Sequence, residues 1–523
     1  MMTTKERILN ELSKIEFPES KYKNRLHISK IYKEVAKKLD VSPGYVKATR
    51  LRHGHTLSTE PVESKIDQQV KVAKERKAGK KKYYFMTWAQ NATPVHDMFW
   101  ENLLAYKDHL DAELLVVAGR YRNPTSVFND AAHEECDLKV EPYLDLNRHV
   151  IHDGLCVMSD IKIQPTASKP LTGVESMTGR RSAIVGHPRQ HLAVVPTLPS
   201  SSDKVILSSG ACTLPNYTDS KSGKKGEFHH VVGFTIIEID GDIFHIRQVS
   251  SCDDGSFTDL IYNVSGGKVS RIDNVPAVKL GDVHCGQDNP EVMTATKQML
   301  DLLKPGATIV PDIFDGYSVA KHDRGKNPIE MFNRMKNGMN DIQDELDNMF
   351  KWINDHLEYN LVIESANHND HLDQYLCSTH WTDDLVNAEK YVELLSVKLA
   401  GQAPLGLVAY EINQMFGNDV HCLGRDDSFK VEGWELGQHG DKGANGSRGS
   451  VNQFKKLPTK IVIAHSHSPA REDGCIRTGI YCKRNMSYVS GGMSSWLEGH
   501  AVIHHDGKAQ IILITKGRFT TLS

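Results

Sequence analysis

Apolar positions recur along this chain in two spacings, a helical one near the start and a strand-like one after residue 83. In Ile28–Arg52 (ISKIYKEVAKKLDVSPGYVKATRLR), Ile31, Val35 and Leu39 fall on one helical face with Ala36 beside them, and Asp40-Val41 breaks the pattern. Ser42-Pro43 is a second helix start, a capping hydroxyl followed by proline at the first helical position. The second helix carries Tyr45, Lys47, Thr49, Arg50 and Arg52 beside Val46 and Leu51. This pattern predicts a helix-turn-helix head over residues 1–61, with Lys47, Arg50 and Arg52 offered to a DNA groove. A helical hairpin packed on the body is the bland alternative. Residues 62–82, ending KERKAGKKK, read as a basic linker able to touch phosphates without sequence preference.

From Tyr83 the texture is that of strands. Tyr83–Ala89 and Glu113–Ala118 are apolar strands, and Thr93-Pro94 opens a helix between them that runs to about Leu110. Between about 150 and 275 strands and turns dominate. His230–Glu238 pairs with Ile243–Val249 around Asp240-Gly241, and Ser265-Gly266-Gly267 marks another turn. Residues 83–275 thus form a mixed α/β and β-rich domain whose own chemistry the pattern does not disclose.

Beyond Val278 one order repeats: strand, polar cluster, helix. Asp282 and His284 end the first strand, two residues apart and so on one side of an extended segment. A helix opens at Asn289-Pro290, and the strand Ala307–Val310 then delivers PDIFD (311–315). Helical material spans 327 to about 357, the strand Leu361–Glu364 ends in Asn367-His368-Asn369-Asp370, and another helix covers 383–400. QHG (438–440) and the strand Lys460–Ala464, ending in His465-Ser466-His467, complete the series. Open α/β sheets hold ligands outside the carboxyl ends of their strands, so five such clusters can meet in one crevice.

Composition narrows the setting. The 523 residues are 39% hydrophobic and 25% charged, with no apolar run long enough to span a bilayer. Nine cysteines without a C-x-x-C pair argue against a disulfide framework and for a reducing, intracellular location. The net charge of −3 hides an asymmetry: residues 1–82 carry 21 Lys+Arg against 10 Asp+Glu, the remainder 42 against 56. A basic head on an acidic body suits a polyanionic partner.

The ordered set GDVH, PDIFD, ANHND, QHG and AHSH resembles the five-part signature of the calcineurin-like metallophosphoesterases, GDxH, GDxxD, GNHD/E, a lone His and GHxH. The resemblance covers about 278–515. It implies an α/β fold class: a C-terminal sandwich of two sheets flanked by helices over 276–523, here preceded by the helix-turn-helix head and the mixed α/β domain. Motif by motif, it implies that Asp282, His284 and His467 hold one metal ion, that Asn367, His439 and His465 hold another, and that Asp312 bridges them. His368 matches the position that stabilises the transition state or protonates the leaving alkoxide, a role that imidazole suits. Two divalent ions about 3.5–4 Å apart bind phosphate oxygens and lower the pKa of a shared water, whose hydroxide attacks phosphorus. Carboxylate and imidazole donors favour manganese, iron or zinc over magnesium or calcium. The chain departs from the signature at Pro311, Ala366 and Ala464, each in place of glycine, and at Asn369, which puts Asp370 one place late.

Three features lean towards DNA as substrate: the basic head, the helix-turn-helix pattern, and GDKGANGSRG (440–449), whose amides, Lys442 and Arg448 could meet a phosphate chain. The whole chain also resembles a family of early coliphage proteins linked to host-chromosome degradation and first-step DNA transfer. That implies a manganese-dependent, two-metal DNA phosphodiesterase acting on duplex DNA in the infected bacterial cytoplasm, as a homo-oligomer. The alternatives are a metallophosphatase or small-nucleotide phosphodiesterase with a DNA-binding head, and a non-catalytic DNA-binding regulator.

Overall fold

The computed structural model describes residues 3–14, 25–42, 46, 82–123, 125, 135–320, 328–484, 486 and 492–521. In the head, the helices Thr4–Ser13 and Arg25–Leu39 bury Ile8, Leu12, Ile31, Val35 and Ala36 together with Val46. The turn and recognition-helix positions Lys47, Arg50 and Arg52, and all but Lys82 of the basic linker, lie outside the described residues.

The body is built from three large mixed sheets. In the first, Tyr83–Gln90 is flanked by Glu113–Gly119 in parallel and by Gly233–Asp240 antiparallel, the latter forming a hairpin with Ile243–Ser250. In the second, Ala277–Lys279, Ala307–Val310, Leu361–Ile363 and His421–Cys422 run parallel, and the hairpin Gly499–Ile503/Ala509–Leu513 closes the other edge. These two sheets abut, with Gln510 Nε2 donating to the Gln248 carbonyl across the join (3.4 Å). The third sheet has ten strands and faces both. Its members come from residues 148–208 and from 430–477. Leu155, Ile184, Leu207, Val462 and Ile476 from this sheet share one apolar layer with Met86, Val117, Ala277, Ile309 and Ile511. Burial of such a layer is the main favourable term in folding. Helices Pro290–Leu303, Ile342–Asn354, His371–Ser378, Ala388–Leu399 and Leu407–Phe416 cover the outer face of the second sheet.

The order of elements agrees with the pattern of apolar positions, with informative differences. The helix expected from Thr93 starts at Asp97, because Val95 is held in a bridge to Thr213 and the His96 ring caps the helix by accepting from Phe99 N. The strand expected from His230 starts at Gly233. The helical stretch 327–357 is two helices, Pro328–Lys336 and Ile342–Asn354, parted near Gly338 at φ +66°. The ten-stranded sheet takes five strands from each side of the boundary expected at 275/276, and the two sets meet where Leu192–Val195 pairs with Ala470–Glu472.

An ion cluster locks the first sheet to the chain's last residues. Arg247, 3% exposed, is paired with Glu238 and with Asp259, which also accepts from Tyr106 Oη at 2.7 Å and Gln510 Nε2 at 3.0 Å. Glu238 in turn accepts from the hydroxyls of Thr520 and Thr521. Replacing Arg247 with Met would leave two carboxylates buried without a counterion. The expected cost is about 3–5 kcal/mol, read as a lower urea midpoint at unchanged m-value.

Candidate metal centre

Three parallel strands of the second sheet end in loops that carry side chains singled out in the sequence. Asp282 and His284 follow Ala277–Lys279, Asp312 follows Ala307–Val310, and Asn367 and His368 follow Leu361–Ile363. From the opposing sheet, His439 follows Trp434–Glu435, and His465 and His467 follow Lys460–Ile463. Four of these residues hold left-handed backbone without being glycine: His284 (φ 50°), Asp312 (44°), His465 (69°) and His467 (58°). Such conformations cost on the order of 1 kcal/mol or more each and concentrate at functional sites. Here they turn each chain sharply where it leaves its strand and bring the polar ends together.

Asp282, His284, Asp312 and His467 converge so closely that one donor atom from each lies within 4.8 Å of the others, all four side chains buried. His467 Nε2 is 3.0 Å from Asp282 Oδ2 and 3.3 Å from His284 Nε2. His439 Nε2 is 3.1 Å from Asp312 Oδ2 and 3.0 Å from Asn367 Oδ1, and His465 Nδ1 is 3.0 Å from the same Asn367 oxygen. All seven expected ligands therefore lie in one connected cluster, and Asp312 stands between the two groups. Neither Asp282 oxygen, nor Asp312 Oδ2, accepts a well-directed hydrogen bond. Their nearest polar groups are the rings of His467 and His439, and buried carboxylates so crowded by imidazoles are costly unless a cation meets them, so this donor set fits a divalent metal.

Two carboxylates that the sequence reading left without a role orient these ligands. Asp315 Oδ1 accepts from His284 Nδ1 at 2.8 Å, and Glu364 Oε1 accepts from His439 Nδ1 at 3.0 Å. Each turns the other ring nitrogen inward, the arrangement that fixes the tautomer of a metal-binding histidine. Glu364 is neutralised by Lys279, whose buried ammonium donates to Glu364 Oε2 at 2.6 Å and to the carbonyls of Leu436, Gln438 and Val462 on the facing sheet. A lysine on an otherwise apolar strand, three residues before Asp282, was the available signal for this arrangement.

His368 lies beside the cluster. Its Nδ1 donates to the Asp315 carbonyl at 2.7 Å, its backbone N–H donates to Asp312 Oδ1 at 3.2 Å, and its ring centre is 4.6 Å from that of His284. The late acid of the third motif, Asp370, is held by Arg425, which also binds Asp441 at 2.9 Å. Asn369 accepts from Phe314 N, tying the second motif to the third. Lys442 and Arg448 are exposed and face each other across a bridge in the loop that begins after His439.

The chain is similar to Protein A1 of Escherichia phage T5. The two are 29% identical over 471 residues, which cover 85% of this chain and 84% of that protein. No protein-family model matches the chain, and no solved structure does. Among the described residues no helix is long and apolar enough to cross a membrane.

Charge at the site sets its pH dependence. Burial opposes the charged form of His284, but its bond to Asp315 and the charges of Asp315, Asp312 and Asp282 outweigh it and raise its pKa to about 8. Burial likewise opposes charge on His439, yet Asp312 and Glu364 hold it well above the usual 6.5. In the metal-free protein these imidazolium groups contribute stability that is fully present below about pH 6.5; that of His284 is lost as pH rises through about 8, and that of His439 as pH rises through its own raised pKa. Asp282 and Asp312 are lowered despite burial, by His467 and by His439 and His368 respectively, so their contribution is lost as pH falls below 3.8. Burial lowers His467, and lowers His465 to about 4, so their contribution is present above about pH 6.5 and lost as pH falls; metal-free stability should thus peak at about pH 6.5–7 and fall towards both pH 4 and pH 9. Metal binding must displace protons from His284 and His439, so manganese affinity should rise through pH 8 with proton uptake by the buffer. Calorimetry in two buffers of different ionisation enthalpy reads this directly; pH-independent affinity would contradict it. Glu364→Gln cannot satisfy both His439 and Lys279 with its amide, and should weaken manganese binding about 10–100-fold with the fold retained by circular dichroism.

Proposed function

We propose that this protein is a two-metal DNA phosphodiesterase of the calcineurin-like metallophosphoesterase type, a phage early protein that degrades host DNA. The observation that carries the reading is the convergence of Asp282, His284, Asp312 and His467, with Asn367, His439 and His465 alongside, around buried carboxylate oxygens that accept no well-directed hydrogen bond. Bound divalent metals, manganese, iron or zinc by this donor set, would supply Lewis acidity at the phosphate and an activated water.

The remaining steps belong to the chain's own residues. Asp282, His284 and His467 would hold one ion and Asn367, His439 and His465 the other, with Asp312 shared. His368, with Nδ1 committed to the Asp315 carbonyl, keeps Nε2 for the substrate, where it would meet the non-bridging oxygens or protonate the departing 3′- or 5′-alkoxide. The left-handed backbone at four ligand positions fixes these groups before substrate arrives, which lowers the reorganisation needed in the transition state. Lys442 and Arg448, exposed beside the His439 loop, suit contacts with the phosphate chain, and Lys47, Arg50 and Arg52 of the basic head would add duplex contacts. Similarity to a phage protein supports action in the infected bacterial cytoplasm. The exposed Phe332 and Met335 of helix Pro328–Lys336 suit a homo-oligomer.

The rival within the same chemistry is a phosphatase or small-nucleotide phosphodiesterase carrying a DNA-binding head. Purified protein with manganese should cleave linear duplex DNA as well as an aryl phosphodiester; cleavage of the small ester alone would sink the nuclease reading. His368→Asn should lower DNA cleavage about 10²–10⁴-fold, and Asp312→Ala should abolish it. Both variants should bind DNA within about twofold of the parent, measured by fluorescence anisotropy at fixed salt. Undiminished cleavage by both would refute the site assignment.

A further inference from the structure

Ten strands between residues 83 and 250 each have a counterpart between 277 and 513, met in the same order along the chain. Tyr83–Gln90 pairs in parallel with Glu113–Gly119 after the helix Asp97–His109, and antiparallel with the first arm of the hairpin Gly233–Asp240/Ile243–Ser250. Ala277–Lys279 pairs in parallel with Ala307–Val310 after the helix Pro290–Leu303, and antiparallel with the first arm of Gly499–Ile503/Ala509–Leu513. The ten-stranded sheet reads alike outward from its middle. One side runs Leu192–Val195, Lys204–Ser208, Ser182–Val185, Leu155–Met158, Arg148–His152; the other runs Ala470–Glu472, Cys475–Arg477, Lys460–Ile463, Trp434–Glu435, Lys430–Val431. On both sides the successive pairings are antiparallel, parallel, parallel and antiparallel.

The agreement extends to single hydrogen bonds outside the strands. Trp88 N donates to the Gly210 carbonyl at 3.1 Å and Asp282 N to the Gly479 carbonyl at 3.1 Å. The Trp88 carbonyl accepts from Cys212 and that of Asp282 from Tyr481. Gly233 N donates to Ala211 as Gly499 N does to Ile480. At the middle of the large sheet Leu192 pairs with Arg471. Leu192 lies opposite Leu207, three residues before Gly210, and Arg471 lies opposite Ile476, three residues before Gly479. Each is therefore paired with its own counterpart, the mark of an isologous two-fold contact.

The metal-binding groups are not repeated. Where Asp282 stands, the first half has Trp88, 2% exposed, its indole laid on Gly119 and Gly186. A Cβ on Gly119 would lie 2.2 Å from that ring, and one on Gly186 would lie 2.6 Å from Val117. Val117 and Ala118 occupy the strand end from which Asp312 departs in the other half. Gly186-His187-Pro188-Arg189 replaces Ala464-His465-Ser466-His467. His187 has both nitrogens engaged, Nε2 with the Gln164 carbonyl at 3.1 Å and Nδ1 with Arg189 N–H at 3.0 Å, and Arg189 turns to Asp473 at 3.3 Å.

We infer that residues 83–250 are a second copy of the fold formed by residues 277–513, joined to it as the two halves of an isologous dimer, and that the copy takes no metal ion. The copy serves as a built-in partner. It covers the Ala470–Glu472 edge, which would otherwise offer unpaired backbone groups to other chains, and apolar side chains fill its own crevice. Only the metal count rests on the proposed function. The test is a crystal structure of the full chain grown with manganese, with anomalous scattering, and metal content by mass spectrometry. The expected result is superposable strands in the two halves, anomalous peaks only among Asp282, Asp312 and their neighbours, and about two ions per chain. Gln90→Ala/His187→Ala, at the positions of His284 and His465, should leave that count unchanged, whereas Asp282→Asn/Asp312→Asn should remove the ions. A peak beside Trp88 and His187, a lower count in the Gln90/His187 variant, or different strand orders in the two halves would overturn the inference. Absence of manganese from the wild type would defeat the two-metal reading alone and leave the copy to be judged by superposition.

Discussion

The joint between the two sheets that hold the Asp/His cluster depends on one buried ammonium. Lys279 has no exposed surface and is enclosed by Glu364 from its own sheet and three backbone carbonyls from the facing one. An unpaired charge there would cost several kcal/mol. The four acceptors offset that cost only if both sheets keep their spacing and their ends stay in register. Through Glu364 the same ion fixes the tautomer of His439, so the geometry of one ligand is tied to the packing of two layers. An apolar residue at 279 would hold the sheets together as well, but it would leave Glu364, and hence His439, without a fixed charge behind it.

Strain complements this charge. Leaving a strand straight would carry Asp312 or His467 past the crevice; left-handed backbone at those positions folds the chain back at once. The cost is met by the apolar layer beneath, where Ile309, Val462 and Ile503 are fully or almost fully buried. Without a metal, His439 between Asp312, Asn367 and Glu364 supplies positive charge to a cluster of carboxylates. This lets the chain fold before the ions arrive, and it makes proton release part of binding.

How much of this was legible follows from the range of each interaction. The order of strands and helices after Val278 could be read because each strand is a short apolar run and each polar cluster sits at its end; those are local signals. Glu364 and Asp315 were missed as orienting groups because their partners are 75 and 31 residues away. The helix expected at Thr93 failed for the same reason, since a bridge to Thr213 holds Val95 extended. The division at 275/276 was drawn where the texture changes; the pairing of Leu192–Val195 with Ala470–Glu472 across it has no local signal.

The paired halves show what this fold can lose and what it keeps. Gly210 and Gly479 accept equivalent hydrogen bonds, and Gly233 and Gly499 donate equivalent ones, because backbone approach there leaves little room for a side chain. The charged ligands obey no such constraint. Buried carboxylates and imidazoles raise the energy of the fold unless a cation compensates them, so a half without an ion is stabilised by any substitution that exchanges them for well-packed apolar groups. Trp88 and Val117 are that exchange, and Gly119 and Gly186 are what admit the indole. In the other half Lys279 stands behind Glu364 and His439, and Asp282 and Asp312 keep a donor set that could hold a cation.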